Sequence, residues 1–274
     1  MVIMAGRIEQ LIGVTIDTGV KLYRDVSINP GTKGLFDVSS GWAGGKKNIA
    51  AGAEIKSLSN EDSVATFAKA HTYADGGMVF AGVNGDRFNL PDNAAPQPAE
   101  THWLITTWLK MSAYGAGTAA SANNQTLSFS TALINDATQS MLTLICNPAS
   151  GAVPTSISIH ARGKNYSGLA SSLSAIYDNN LHQVAFELQL SSDGTQQQLT
   201  VYIDGVAAYA SGYSAVAATV PAAPTNKYIG TSASFPLAWA GSFYRVRKDD
   251  PTATTRTVAQ ILSSDAASIN GRFS

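Results

Sequence analysis

This sequence predicts an all-β chain folded as a two-sheet antiparallel sandwich with a short C-terminal helix. Three observations carry that expectation. Apolar and polar residues alternate with period two along 181–190 and again along 199–203, and the polar connection 191–198 between them has turn chemistry. Similar short runs recur through most of the 274 residues, separated by connections rich in Gly, Ser, Ala, Asn and Pro. Helical periodicity is confined to one late segment, 255–269.

Taken in chain order, residues 8–16 fit a helix or a strand equally well. A strand is expected at 78–83, a turn at Asn84-Gly85-Asp86, and a further strand at 87–91. Residues 102–111 place bulky side chains on both faces, so this strand is expected to be central and covered on both sides. Strands follow at 126–134, 140–146 and 155–162. In 181–190, His182, Val184, Phe186, Leu188 and Leu190 share a buried face, while Gln183, Ala185, Glu187 and Gln189 share the other. Replacing Phe186 by Ala is therefore expected to destabilise the fold, and replacing Glu187 by Gln to be silent. The strand 199–203 ends at a hairpin turn, Asp204-Gly205. The last strands are 227–230 and 240–247. The helix follows Pro251, with Val258, Ile261, Leu262 and Ile269 on one face; Ile261 and Leu262 are expected to dock it on a sheet. The connections are 92–100, 113–124, 147–154 and 211–225. The division expected is an N-terminal assembly arm at 1–21 and one sandwich domain at 22–274.

Charged residues make up 14% of the chain, against about 25% in average soluble proteins. The net charge of -1 argues against a nucleic-acid partner or an anionic membrane surface. No apolar stretch is long enough to span a bilayer, so membrane insertion is not expected. No leader pattern is recognisable, and without export the acceptor-like triplets at Asn124 and Asn165 are chance matches. The one cysteine, Cys146, lies in an apolar run and reads as a buried hydrophobe rather than a reactive thiol.

No catalytic constellation is expected. A glycosidase needs two carboxylates flanking the bond, but Glu187 has no second acid beyond it on its strand, and the adjacent Glu61 and Asp62 would point oppositely. Calcium is left open at low weight. Asp86, Asp92, Asn93, Asp193 and Asp204 are oxygen donors in loops, without the spacing of a recognised site, so no cofactor and no metal ligand is assigned. His71, His102, His160 and His182 show no zinc spacing, and His182 reads as a hydrogen-bonded structural residue. Gly44-Gly45-Lys46-Lys47 is no phosphate loop. Glycan binding would use exposed aromatics; Trp42, Tyr114, Tyr166, Tyr209, Tyr213 and Trp239 sit in or near connections. Trp103 and Trp108 read as core.

Six segments in order carry a family likeness. They are Phe80 to Pro91; His102-Trp103-Leu104-Ile105-Thr106-Thr107-Trp108-Leu109-Lys110; Leu181-His182-Gln183-Val184-Ala185; Leu199-Thr200-Val201-Tyr202-Ile203-Asp204-Gly205; Tyr228-Ile229-Gly230; and Gly241-Ser242-Phe243-Tyr244-Arg245-Val246-Arg247. Together they resemble laminin G-like, concanavalin A-like jelly rolls. Leu181 and Gln183 depart from that pattern, as does Tyr244-Arg245, where the family has an acidic pair. Residues 35–41 resemble the family's early Asp-x-Ser-Gly turn. The resemblance implies two stacked antiparallel sheets and no single function.

An outward-facing type of fold without a recognised leader, anchor or disulfide leads to one expectation. It is a non-enzymatic structural protein of a bacteriophage virion, assembled in the host cytoplasm, displaying the jelly roll on tail, baseplate or capsid. Its expected partners are other virion proteins, further copies of itself, and a host-surface glycan. The alternative is a carbohydrate-binding module for cell-surface glycans, and a weaker one is a glycoside hydrolase. The ligand-binding residues are left unassigned.

Overall fold

The computed structural model describes residues 25–39, 48–60, 62–81, 85–111, 124–131, 136–147, 154, 156–230, 240–269 and 272–273. Its strands begin with β1 (Thr32–Asp37), β2 (Asn48–Ile49), β3 (Glu54–Lys56), β4 (Val64–Phe67), β5 (His71–Ala74) and β6 (Gly77–Ala81). Next come β7 (Arg87–Asn89), β8 (His102–Met111), β9 (Asn124–Ser130), β10 (Ser140–Asn147), β11 (Ser156–Ala161) and β12 (Lys164–Tyr166). The last are β13 (Leu181–Leu190), β14 (Gln196–Ile203), β15 (Val206–Ala210), β16 (Ser214–Ala215), β17 (Asn226–Gly230) and β18 (Ala240–Asp249). Two helices accompany them, α1 (Ala170–Leu173) and α2 (Val258–Ile269).

Among the described residues these strands form two antiparallel sheets. The first runs β15-β14-β13-β8-β18-β6-β5-β2, with β1 also on β18 and β16 also on β14. The second runs β12-β11-β10-β9-β17-β7-β4-β3. The expected sandwich with a C-terminal helix is therefore the observed fold. The core lies between the sheets. Trp103, Ile105, Phe186, Leu188, Leu199, Val201 and Phe243 enter from the first sheet, and Phe67, Phe88, Leu127, Phe129, Leu144 and Ile159 from the second.

β8 is central, as expected: β13 pairs on one side and β18 on the other. Trp103 faces the core, whereas Trp108 faces outward and is buried by α2 and the C-terminal end. The turn after β14 is the expected one. Asp204 and Gly205 both have positive φ, 51° and 78°, as a tight two-residue hairpin turn requires. Helix α2 begins at a reciprocal cap. Thr257 Oγ1 accepts from the Gln260 amide at 3.3 Å, and Gln260 Oε1 accepts from the Thr257 amide at 2.9 Å. Its apolar face then docks through Ile261 and Leu262 onto Leu104 and Ala185. Asp37 Oδ1 accepts from the Ser39 amide and hydroxyl; Ser40 and Gly41 of the expected turn lie outside the described residues.

Sequence reasoning did not anticipate β1 to β5, β12, β15 or α1, or β16, which falls in the expected connection 211–225. The segment 1–21, the run 8–16 and Gly44 to Lys47 lie outside the described residues.

Beneath α2, the outward residues of β18 form a buried ionic cluster. A bulge at Tyr244 puts both Tyr244 and Arg245 outward. Arg245 pairs with Asp25 at 2.9 Å, Asp37 at 3.3 Å and Asp265 of α2 at 2.8 Å. Arg247 pairs with Asp249, and Arg272 reaches Asp37 at 3.2 Å. Burial alone would raise the Asp25 carboxyl, but Arg245 and the Ser27 hydrogen bonds outweigh it and bring the pKa to about 2. For Asp37 burial prevails over Arg245 and Arg272, and its pKa is raised.

Candidate functional site

The outer face of the first sheet is only partly covered. α2 lies over Leu104 and Ala185, and Tyr202 and Val258 pack against the cluster they form with Ile261 and Leu262. Past it, alternation along β8, β13 and β14 presents His102, Glu187, Gln189, Gln198, Thr200 and Tyr202 outward, each half-buried. The register sets them in rows: His102 opposite Gln189 opposite Gln198, and Leu104 opposite Glu187 opposite Thr200.

Glu187 is the organising group of this patch. Its Oε1 lies 2.7 Å from His102 Nε2, and its Oε2 accepts a 2.6 Å hydrogen bond from the Tyr202 hydroxyl. Burial works to raise its pKa, but the bonds to His102 and Tyr202 prevail and lower it. Tyr202 moves the other way: burial, then the Glu187 carboxylate, hold its proton more tightly. The sequence alone shows no second acid beside Glu187; its partners here are a histidine and a tyrosine. By contrast, the Gln189 and Gln198 amides carry no side-chain hydrogen bond among the described residues. Two donor-acceptor amides and one aromatic ring with a pinned hydroxyl therefore stand on a rigid sheet, open for hydrogen bonding.

The second sheet's outer face differs. The register aligns Glu54, Thr66, Asn89, Tyr228, Ser128, Thr143, His160 and Asn165 in one file across all eight strands. At its middle, Tyr228, Ser128, Thr143 and His160 are buried, and the Ser128 and Thr143 hydroxyls bond each other at 3.2 Å. The middle of that polar file is thus covered, while Glu54 and Asn165 at its ends are exposed and Thr66 and Asn89 are half-buried.

Of the aromatics named from sequence, Trp42, Tyr114 and Trp239 lie outside the described residues. Tyr166 is corrected: it points into the sandwich, buried, and its hydroxyl accepts from Gln197 Nε2 at 3.1 Å. Tyr209 packs against the core and Tyr213 is exposed. Tyr202 escaped notice because it sits mid-strand, where an aromatic reads as core.

The five oxygen donors considered for calcium do not converge. Asp86 is buried, 3.2 Å from His71 and accepting from the Ala81 amide. Asp92 pairs with Lys227, and Asn93 bonds Ser63 and the Lys33 carbonyl. Asp193 closes its own turn through Ser191 and Thr195. Asp204, at the other end of β14, accepts from the Gln183 amide and contacts His182 at 2.7 Å. His182 is held between Asp204 and Asp178, the structural role expected of it. Cys146 is buried against the Tyr177 hydroxyl, and burial pushes its thiol up to about 12, which suits an inert side chain.

No family model and no curated protein matches this sequence. Solved structures do. Trypanosoma rangeli sialidase, in complex with a difluoro-KDN, is similar at a TM-score of 0.56 and 14% identity, over 90% of this chain and 34% of the sialidase. Domain 4 of a GH43 arabinanase from Geobacillus stearothermophilus, in complex with arabinotriose, gives 0.46 and 15%, over 85% of this chain and 98% of that domain. The CBM40 of Ruminococcus gnavus IT-sialidase gives 0.44 and 13%, over 68% and 95%. This chain thus spans about a third of the sialidase it matches. At these identities the likeness establishes the sandwich architecture. It does not extend to the narrower laminin G-like assignment.

Proposed function

We propose that this chain is a non-catalytic carbohydrate-binding module that takes a sugar on the outer face of its first sheet. The observation that carries the reading is the pair of amides, Gln189 and Gln198, that have no side-chain hydrogen bond among the described residues and share a sheet face with Thr200 and Tyr202. Sugars present hydroxyls that pair with such amides, and apolar ring faces that stack on an aromatic ring. Glu187 suits this role better than catalysis. A general acid must carry a proton near neutral pH, whereas Glu187 is held ionised with both oxygens engaged. The similar structures supply the architecture; their descriptions name glycan chemistry, which makes glycans the class to test first. The virion setting rests on the sequence reading alone, and the fold adds no observation to it.

The test is a glycan array followed by calorimetry on the full chain. Binding at a Kd of about 0.1–1 mM is expected, a few kcal/mol, with at least a tenfold loss in Gln189→Ala and Gln198→Ala at unchanged melting temperature. No retained sugar, or full binding by both variants, would refute the reading. Release of reducing sugar from any polysaccharide would refute its non-catalytic part.

A further inference from the structure

We propose that β15 and the segment following it form a self-association edge, onto which a second copy of this chain adds its own β15 antiparallel about a twofold axis. Apart from β1, which pairs only with β18 but is largely buried and carries Lys33 and Asp37, and the two-residue β16 beside β15, the sheets end among the described residues at four strands that are not alike. β2 has two residues, β3 reads Glu-Ile-Lys and β12 reads Lys-Asn-Tyr. Brevity and charge are the usual means by which exposed edges avoid pairing with other chains. β15 is different. It is five residues long, reads Val-Ala-Ala-Tyr-Ala, and pairs only with β14. From Val206 to Thr225 there is no Asp, Glu, Lys or Arg. Of the four large apolar side chains exposed among the described residues, Val206, Tyr213 and Val220 fall in this stretch. The nearby Lys164 ammonium is committed to Ser214 Oγ at 2.7 Å and the Ala215 carbonyl at 2.8 Å.

The occupant follows from that chemistry. An uncharged edge meets its own copy without like-charge repulsion, and a twofold axis sets identical strands antiparallel. Ala207 and Ala210 are exposed and small, so two backbones can approach to hydrogen-bonding distance. A charged partner would find nothing to pair with. β15 and β16 flank β14 along its eight residues, a strip roughly 26 Å long at about 3.3 Å per residue. The bulge at Ala208 interrupts it. Such a strip falls short of the roughly 800 Å² per partner of a standard interface, so the dimer is weak, with a Kd of about 10 μM.

Sedimentation velocity on the full chain from about 1 to 200 μM tests this, together with hydrogen exchange at both ends of the range. A monomer–dimer equilibrium is expected, with concentration-dependent protection of 206–215. Ala207→Lys and Ala210→Lys should both be monomeric at 200 μM, and circular dichroism should show their folds intact. A wild-type chain monomeric at 200 μM would overturn the proposal. So would a dimer whose protection lies elsewhere, or folded lysine variants that dimerise like the wild type.

Discussion

Removing the Asp265 carboxylate is expected to be among the costliest single changes outside the sandwich core. Asp265 is fully buried on the sheet-facing side of α2. It accepts from Trp108 Nε1 at 2.7 Å and Gln183 Nε2 at 3.1 Å, and lies 2.8 Å from Arg245 Nη2 and 3.6 Å from Arg247 Nη1. Alanine leaves two buried guanidiniums short of a counter-charge, and breaking a buried pair in this way costs about 3–5 kcal/mol. It also orphans a buried indole N–H, at about 1–3 kcal/mol. These losses overlap in one network and do not simply add, so about 4–6 kcal/mol is expected. That is a large share of the roughly 5–15 kcal/mol that holds a typical domain. Asn keeps an acceptor for Trp108 and loses the charge, so Asp265→Asn should cost about 2–3 kcal/mol. Urea denaturation followed by tryptophan fluorescence, with hydrogen exchange on 258–269, measures both. If Asp265→Ala loses less than about 1 kcal/mol with α2 still protected, the claim that this carboxylate holds the helix to the sheet is wrong.

Two further outcomes are expected. Phe186→Ala, at a fully buried central position, should cost about 3–5 kcal/mol by denaturant titration; a loss under about 1 kcal/mol would mean that the core collapses onto the gap. Burial works to lower the His182 pKa, but hydrogen bonds and charges from Asp204 and Asp178 outweigh it, and the net direction is up from 6.5. A raised histidine contributes stability that is fully present below its unfolded value and is lost as pH rises through the folded one. The melting temperature should therefore fall between about pH 6 and 8, and His182→Asn should flatten that slope; an unchanged slope in the variant would assign it to other groups.

What was legible in the sequence was local. The alternation of 181–190, the Asp204-Gly205 turn, the two-faced 102–111 and the helical face of Ile261 and Leu262 each signal their structure within a few residues. β1 to β5 run to six residues at most and carry no sustained alternation, so their pairing is decided by partners far along the chain. The ionic cluster was hidden for a related reason. Arg245 and Arg247 alternate like an ordinary solvated face and are buried only because α2 and residues near Asp25 fold over them. Arg245 lies 220 positions from Asp25. Likewise Glu187 reads as an isolated acid until His102, 85 positions away, is brought beside it. Of the candidate site's amides, Gln189 reads as the polar side of a strand, which it is, whereas Gln198 reads as part of the connection 191–198 and lies in β14, which starts at Gln196. Only their lack of partners sets them apart, and pairing cannot be seen in one dimension.

The ionic cluster also has a mechanical consequence. Asp25, the first described residue, and Arg272, next to last, meet at the same place: Arg272 lies 3.9 Å from Asp25 and 3.2 Å from Asp37. The cluster thus acts as a clasp that holds the segment around Asp25 and the residues after α2 to the outer face of the first sheet. A force that separates Asp25 from Arg272 would load this charged junction directly. Salt or acid that loosens the junction would open that clasp while leaving the outward patch around Glu187 and the β15 edge in shape.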